Sequence, residues 1–460
     1  MIDHALPRPA AVRRRGLLAA SALLVAAAVA AAPAEAGVST PKVVSPRGLV
    51  VQESAVGAGG GRVAVLMGGL AATVRGSAGS VQARIGPASR LGHPQRLGTG
   101  GTGLRVAVGA DGTAVAAWIT HARGGPAVLQ VAVARAGHGF GRAQAISRAG
   151  SLALGGVGVT PSGRAAVTWR RGVSGTPVLL AVAAPGGAFG APQPLGTSRQ
   201  YAPALAVGPD GTIVVAWLDT PPAPQPPPAP APATRTARVL AVTLVPGAST
   251  ATPAAELGTL AFWFSGPEAA AGPGGTAVTW RQTGTGKLLS SPSAPGAFGT
   301  PVALPPAPYA ADQGDHLALA LPGDGTQVAL WREVRTRSAE DPTPTFAVVR
   351  ASVRPAGGTF AAPVRLSAAG RLAGPPQAIA LTGRTVAAWA ESGGAAARVR
   401  LAVLASGGGW SKRTAPAAPG IDPATLAVAG TPGAAALTWI AHAGSGSRET
   451  ARLMLAVYHP

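Results

Sequence analysis

After residue 36, apolar residues fall in short runs broken by glycine-rich turns, and no run is long enough to read as a transmembrane helix. One pattern recurs: a Gly turn, a short run of Ala, Val and Thr, then Trp. It runs from Asp111-Gly112-Thr113 to Trp118, from Ser162-Gly163-Arg164 to Trp169, and from Asp210-Gly211-Thr212 to Trp217. It returns ahead of Trp280, Trp331, Trp389 and Trp439, and a degenerate first copy ends on Met67. A glycine stands six residues before the anchor in all eight copies. Successive anchors are 51, 51, 48, 63, 51, 58 and 50 residues apart.

A period near 50 is too long for a leucine-rich or helical-pair repeat and fits a four-stranded blade. Small-residue runs such as Leu104-Arg105-Val106-Ala107-Val108 precede the Gly turn and read as inner strands A. The turn suits a tight hairpin, because glycine tolerates positive φ. Strand B follows and is apolar on both alternating faces, as a sheet stacked between two neighbours requires. Its Trp is expected to fill the gap between blades. Strand C is a further apolar run, as at 128–134 and 178–184. A second motif closes each unit: an aromatic after a Gly-rich turn, then Leu or Ile six residues on. The pairs are Phe140/Ile146, Phe189/Leu195, Phe298/Leu304 and Phe360/Leu366, with Leu91/Leu97 a weaker copy and Trp410 a variant. A Pro three after the aromatic fits the start of an outer edge strand D.

The last unit stops in strand C, at Leu453-Met454-Leu455-Ala456-Val457, and lacks a strand D. The segment from Val38 through Pro41 to Val44 carries the missing motif. These features predict an all-β fold: a single β-propeller of about eight four-stranded blades, closed by the N-terminal strand. Seven blades is the alternative if the Met67 unit is partial. Over residues 38–460 the pattern resembles secreted bacterial propeller proteins of the sialidase-like kind. It departs from the sialidase Asp-box, where Trp falls three residues after Gly rather than six, and it lacks the Trp-Asp pair of WD40 blades. The resemblance implies fold and export and carries no activity.

Composition adds the setting. Residues 1–36 read as a signal peptide: Arg13-Arg14-Arg15, an apolar stretch at 16–32, and an Ala34-Glu35-Ala36 cleavage site. The expected product is a secreted, extracellular propeller over 37–460, a monomer with no membrane span. There is no Cys, hence no disulfide, and no cofactor or metal site is expected. A Pro-rich insertion at 221–233 separates strands B and C of one unit and reads as a polyproline-II spur. Net charge is +21, and every cation except Lys42, Lys287 and Lys412 is Arg. That excess fits either an acidic polymer as partner or the codon bias of a GC-rich genome. Nucleic acid is not expected as partner, since no recognition motif is present.

Candidate chemistry gathers on the face of the B–C and D–A loops. Arg170, Arg281 and Arg332 directly follow their Trp, and Asp219, Glu333 and Glu391 come two after theirs. Tyr201, Trp263 and Tyr309 come from D–A loops. Arg forks carboxylates and phosphates, and aromatic faces stack on sugars. The set therefore points to a non-catalytic binding site for an extracellular polysaccharide or anionic envelope polymer. The other reading is a divergent carbohydrate-active enzyme of sialidase-like type, drawing a carboxylate pair from the same acids. No G-x-S-x-G, H-E-x-x-H or P-loop is present, and no catalytic residue is assigned.

Overall fold

The computed structural model describes residues 37–460 apart from 72–78, 122–123, 173–174, 199–200, 220–236, 261–265, 283–285, 306–316, 337–343, 393–396, 415–420 and 444–449. The segment expected to be a signal peptide, 1–36, and the Pro-rich insertion at 221–233 thus lie outside the described residues. The rest form eight antiparallel blade sheets and one two-stranded hairpin, arranged as an eight-bladed propeller; strands A to D follow sequence order in blades 1 to 7, and the N-terminal segment supplies strand D of blade 8. Strand B of blades 1 to 8 runs Arg62–Ala71, Ala114–His121, Ala165–Arg171, Ile213–Asp219, Gly275–Gln282, Gln327–Thr336, Arg384–Ser392 and Ala434–Ala443. Strand A of each blade touches strand A of the next, and blade 8 meets blade 1, so the ring is continuous. The Met67 unit is a full blade, which settles the count at eight.

Closure follows the expected stagger. Strand C of blade 8, Thr450–His459, pairs with Gly37–Val38 and Lys42–Val43. The register joins Val38 to Tyr458 and Val43 to Met454, and Val44 N–H donates to Leu453 C=O at 2.9 Å.

The core lies between the blades. There are eight apolar clusters, and each sets the anchor of one blade against strands B and C of the blade before it. Trp169 packs with Leu129 and Val131 of blade 2, Trp389 with Leu330 and Val349 of blade 6, and Met67 with Ile440 and Leu453 of blade 8. All seven Trp anchors are 5% exposed or less. A flat ring wedged between two sheets removes much apolar area from water in one piece, which is why Trp recurs here. The A–B hairpins take the geometry that their Gly permits: Gly112 has φ 84° and Gly163 φ 81°. The Asp two before Thr113 caps that turn by accepting from Thr113 N–H at 3.0 Å. Among the described residues no helix is long and apolar enough to cross a membrane.

One close approach repeats in strand D. A Leu-Gly-Thr triplet, at Gly98, Gly196 and Gly258, lays bare backbone against the indole of the next blade: Trp118, Trp217 and Trp280. A Cβ on Gly196 would sit 2.8 Å from Trp217 Cζ2. Gly196→Ala is therefore expected to cost about 1–3 kcal/mol by overpacking. Gly150→Ala, where a Cβ would meet nothing within 4 Å, should be near neutral. Urea unfolding of the two variants checks this, and equal midpoints would remove the role given to the triplet.

Candidate functional site

Strand B fixes the direction of every candidate charge. The Trp faces the preceding blade, so the residue two further on faces it too, and the residue between them faces the following blade. Where that middle residue is apolar it enters the next junction's core: Ile119 packs with blade 3, Leu218 with blade 5 and Ile440 with blade 1. Arg170, Arg281 and Arg332 hold this middle position in blades 3, 5 and 6. Asp219, Glu333 and Glu391 hold the position two past the Trp in blades 4, 6 and 7.

The acids are inside the blades rather than in the loops that follow them. Glu333 is fully buried, Glu391 is 4% exposed and Asp219 is 9% exposed. Each takes an Arg of its own strand C as partner. Asp219 pairs with Arg238, Glu333 Oε1 with Arg350 Nε at 2.7 Å, and Glu391 Oε2 with Arg400 Nε at 2.8 Å. Two of them also reach back to the preceding blade. Asp219 Oδ1 accepts from Thr197 Oγ1 at 3.2 Å, and Glu391 Oε1 accepts from Ala368 N–H at 2.8 Å and from the Trp389 indole at 3.0 Å. Burial works to raise the Glu391 pKa. The hydrogen bonds from Ala368, Trp389 and Arg400, with the Arg400 charge, prevail and hold it below the ordinary value.

Arg170 is 7% exposed and Arg332 half-buried, and desolvation lowers the Arg170 pKa. Of Arg281 only the backbone position in strand B is described, beside Lys287. The six charged positions sort by blade. Arg at the middle position occurs in blades 3, 5 and 6, and acids two past the Trp occur in blades 4, 6 and 7, one blade onward each time. Register thus assigns Arg170 and Asp219 to one junction and Arg332 and Glu391 to another, with Glu333 at the junction between blades 5 and 6. Tyr201 is half-buried against the core between blades 4 and 5, and burial raises its pKa. Trp263 and Tyr309 lie outside the described residues.

Sequence reasoning missed the strand C partners Arg238, Arg350 and Arg400. The available signal was Arg inside a largely apolar strand C in each acid-bearing blade, one in blade 4 and two each in blades 6 and 7. It also missed three glutamines, Gln95, Gln144 and Gln193, each two residues before the Leu or Ile of strand D. Among the described residues no group of His, Asp and Glu could hold a metal ion.

No family model matches the chain, and no curated protein matches it. Solved structures share the fold distantly. The β-propeller domain of the trilobed protease from Pyrococcus furiosus is 9% identical, with a TM-score of 0.43, over 80% of this chain and 97% of that one. Polysaccharide lyase Uly1 is 8% identical, with a TM-score of 0.48, over 89% and 90%. Puromycin hydrolase is 15% identical, with a TM-score of 0.47, over 85% of this chain and 58% of the hydrolase. The likeness is to propellers of varied enzymes and does not single out the sialidase-like kind that the repeat resembles.

Proposed function

We propose that this chain is an exported binding propeller whose partner is an anionic extracellular polysaccharide or envelope polymer. One observation carries the reading: the described carboxylates are engaged within the molecule, while exposed cations line one arc of its outer strands. Of the fifteen acids after residue 36, Asp312, Asp315, Glu340, Asp341 and Glu449 lie outside the described residues. Every described carboxylate has an intramolecular partner, from Glu53 on the Gly103 and Leu104 amides to Asp422 on Ala424 N–H. Exposed cations meanwhile occupy strand D of five consecutive blades: Arg365, Lys412, Lys42, Arg96 and Arg148 in blades 6, 7, 8, 1 and 2. Strand D of blades 3 and 5 has no charge, and that of blade 4 carries only Glu256. A one-signed arc on the circumference suits a chain of repeated negative charges. The pairing of Asp219, Glu333 and Glu391 with Arg favours binding over hydrolysis, since a glycosidase needs one carboxyl free to give up a proton.

The test is retention of the protein on immobilised polygalacturonate, with a neutral glucan as control. Retention at low salt should fall steeply as salt rises. Neutralising the five cations to Gln should abolish it. No retention, or retention unchanged in that variant, contradicts the rim. Loss on Trp263→Ala, Arg281→Ala or Arg332→Ala instead would place the polymer on the B–C and D–A face.

A further inference from the structure

Three junctions of the ring are locked by a glutamine that opens strand D. Gln95 Oε1 accepts from Phe140 N–H at 2.9 Å, and its amide donates to Phe140 C=O. Gln144 does the same to Phe189, at 3.0 and 3.2 Å. Gln193 Oε1 accepts from Ala251 N–H at 3.1 Å. Phe140, Phe189 and Ala251 hold one position in blades 2, 3 and 4, six residues before Ile146, Leu195 and Leu257. A side-chain carboxamide of each blade is thus inserted against the backbone of the next.

Between blades 6 and 7 the same two positions are Val364 and Trp410. Valine cannot make the clamp, and Val364 is left 45% exposed. A groove of about 340 Å³ opens there, on the face of the A–B and C–D turns, with Val353, Val364, Leu404 and Trp410 among its walls. Three side-chain donors on this groove have no acceptor: Trp410 Nε1, Arg384 Nε and Thr385 Oγ1. Thr385 is 1% exposed, so its hydroxyl is desolvated with nothing in return. The Asp324 carboxylate also lines the groove, held by Thr326 N–H at 2.9 Å.

We propose that this groove is a second binding site, independent of the anionic-polymer reading, for a small uncharged molecule with an apolar body and a carbonyl acceptor. The acceptor would serve the donors left without one, as the glutamine carboxamide serves the backbone at the closed junctions. The body would rest on the apolar walls. Two opposite charges line the groove, Asp324 and Arg384, and their fields offset, so an ion of either sign gains little over an uncharged ligand that avoids the cost of desolvating a charge. The volume falls within the range of small-ligand pockets, which begins at about 300 Å³.

Benzamide is the probe, with benzoate as the charged isostere, titrated into the full chain by calorimetry and by saturation-transfer NMR. Expected is saturable benzamide binding with Kd on the order of millimolar, as suits so small a ligand, and weaker binding of benzoate. Val364→Gln, which rebuilds the clamp, should weaken benzamide at least about tenfold and raise the melting temperature. Thr385→Val, which keeps shape and removes the hydroxyl, should weaken it about fivefold. Absence of saturable binding to the wild type overturns the site, and so does wild-type affinity in Val364→Gln. If that variant folds poorly, Thr385→Val decides: unchanged affinity overturns the site. Benzoate binding as tightly as benzamide overturns the choice of an uncharged ligand.

Discussion

Glu391→Ala is expected to destabilise the protein by about 3–5 kcal/mol, because it leaves Arg400 half-buried beside an uncompensated space. The same change strips acceptors from the Ala368 amide and the Trp389 indole, so it loosens the junction with blade 6 as well as the blade itself. Glu391→Gln keeps an acceptor for those two donors and should cost less, about 1–2 kcal/mol. The double change Glu391→Leu/Arg400→Met should cost less than Glu391→Ala alone, since it removes both charges and fills the volume. The effect has a pH signature. The folded-state pKa of Glu391 lies below the ordinary glutamate value. Its contribution is therefore complete at neutral pH, above the unfolded value, and is lost as pH falls through the folded value. Urea midpoints measured across that range should show the gap between wild type and Glu391→Ala closing in acid. A gap independent of pH, or absent at pH 7, would contradict the pairing described for this residue.

Deleting residues 37–44 should cost on the order of 5 kcal/mol, from ladder bonds at about 1 kcal/mol each and one buried valine side chain. Val44 is 5% exposed and belongs to the core shared by blades 8 and 1. Ser39 contributes twice, donating its N–H to Val457 C=O at 2.8 Å and accepting from Val457 N–H at 2.9 Å on Oγ. The deletion also bares one edge of Thr450–His459, ten residues of mostly apolar strand. An uncovered edge of that length pairs with other chains. The expected observations are a lower unfolding midpoint and concentration-dependent light scattering. A deletion variant with the wild-type midpoint that stays monomeric would show that the closing strand is dispensable.

The ring was readable because its physics repeats. Eight equivalent junctions each need a large apolar wedge, so the same Gly-to-Trp interval appears seven times, and the degenerate Met67 copy is recognisable by position alone. The missing strand D at one end matched a spare one at the other. The charged positions were harder to interpret. An Arg after a Trp reads as a loop residue when one blade is considered, and only the comparison of neighbouring blades shows that acids occur one blade onward of arginines. The partners Arg238, Arg350 and Arg400 lie on strand C, and pairing across strands is fixed by register, which hydrophobic pattern specifies only to within a face. The glutamine clamps were invisible for a related reason. They bind backbone groups, which every residue has, so nothing on the accepting side marks the place. The groove at Val364 becomes legible only in the structure, where a valine stands at the position that a glutamine fills in three other blades.

The pairing of Ser39 with Val457 spans 418 residues. A ribosome makes the N-terminal strand first and its partner last. Until strand C of blade 8 emerges, residues 37–44 have no ladder to join, and blade 1 has no neighbour on one side. Loop closure on this scale is slow relative to local hairpins. The nascent chain therefore passes through a stage in which seven junctions can be formed and one cannot, with a sheet face of blade 1 and the closing strand both uncovered. Any chaperone that attends this protein during synthesis has its task defined by that interval: to keep the first strand unpaired until the last one arrives.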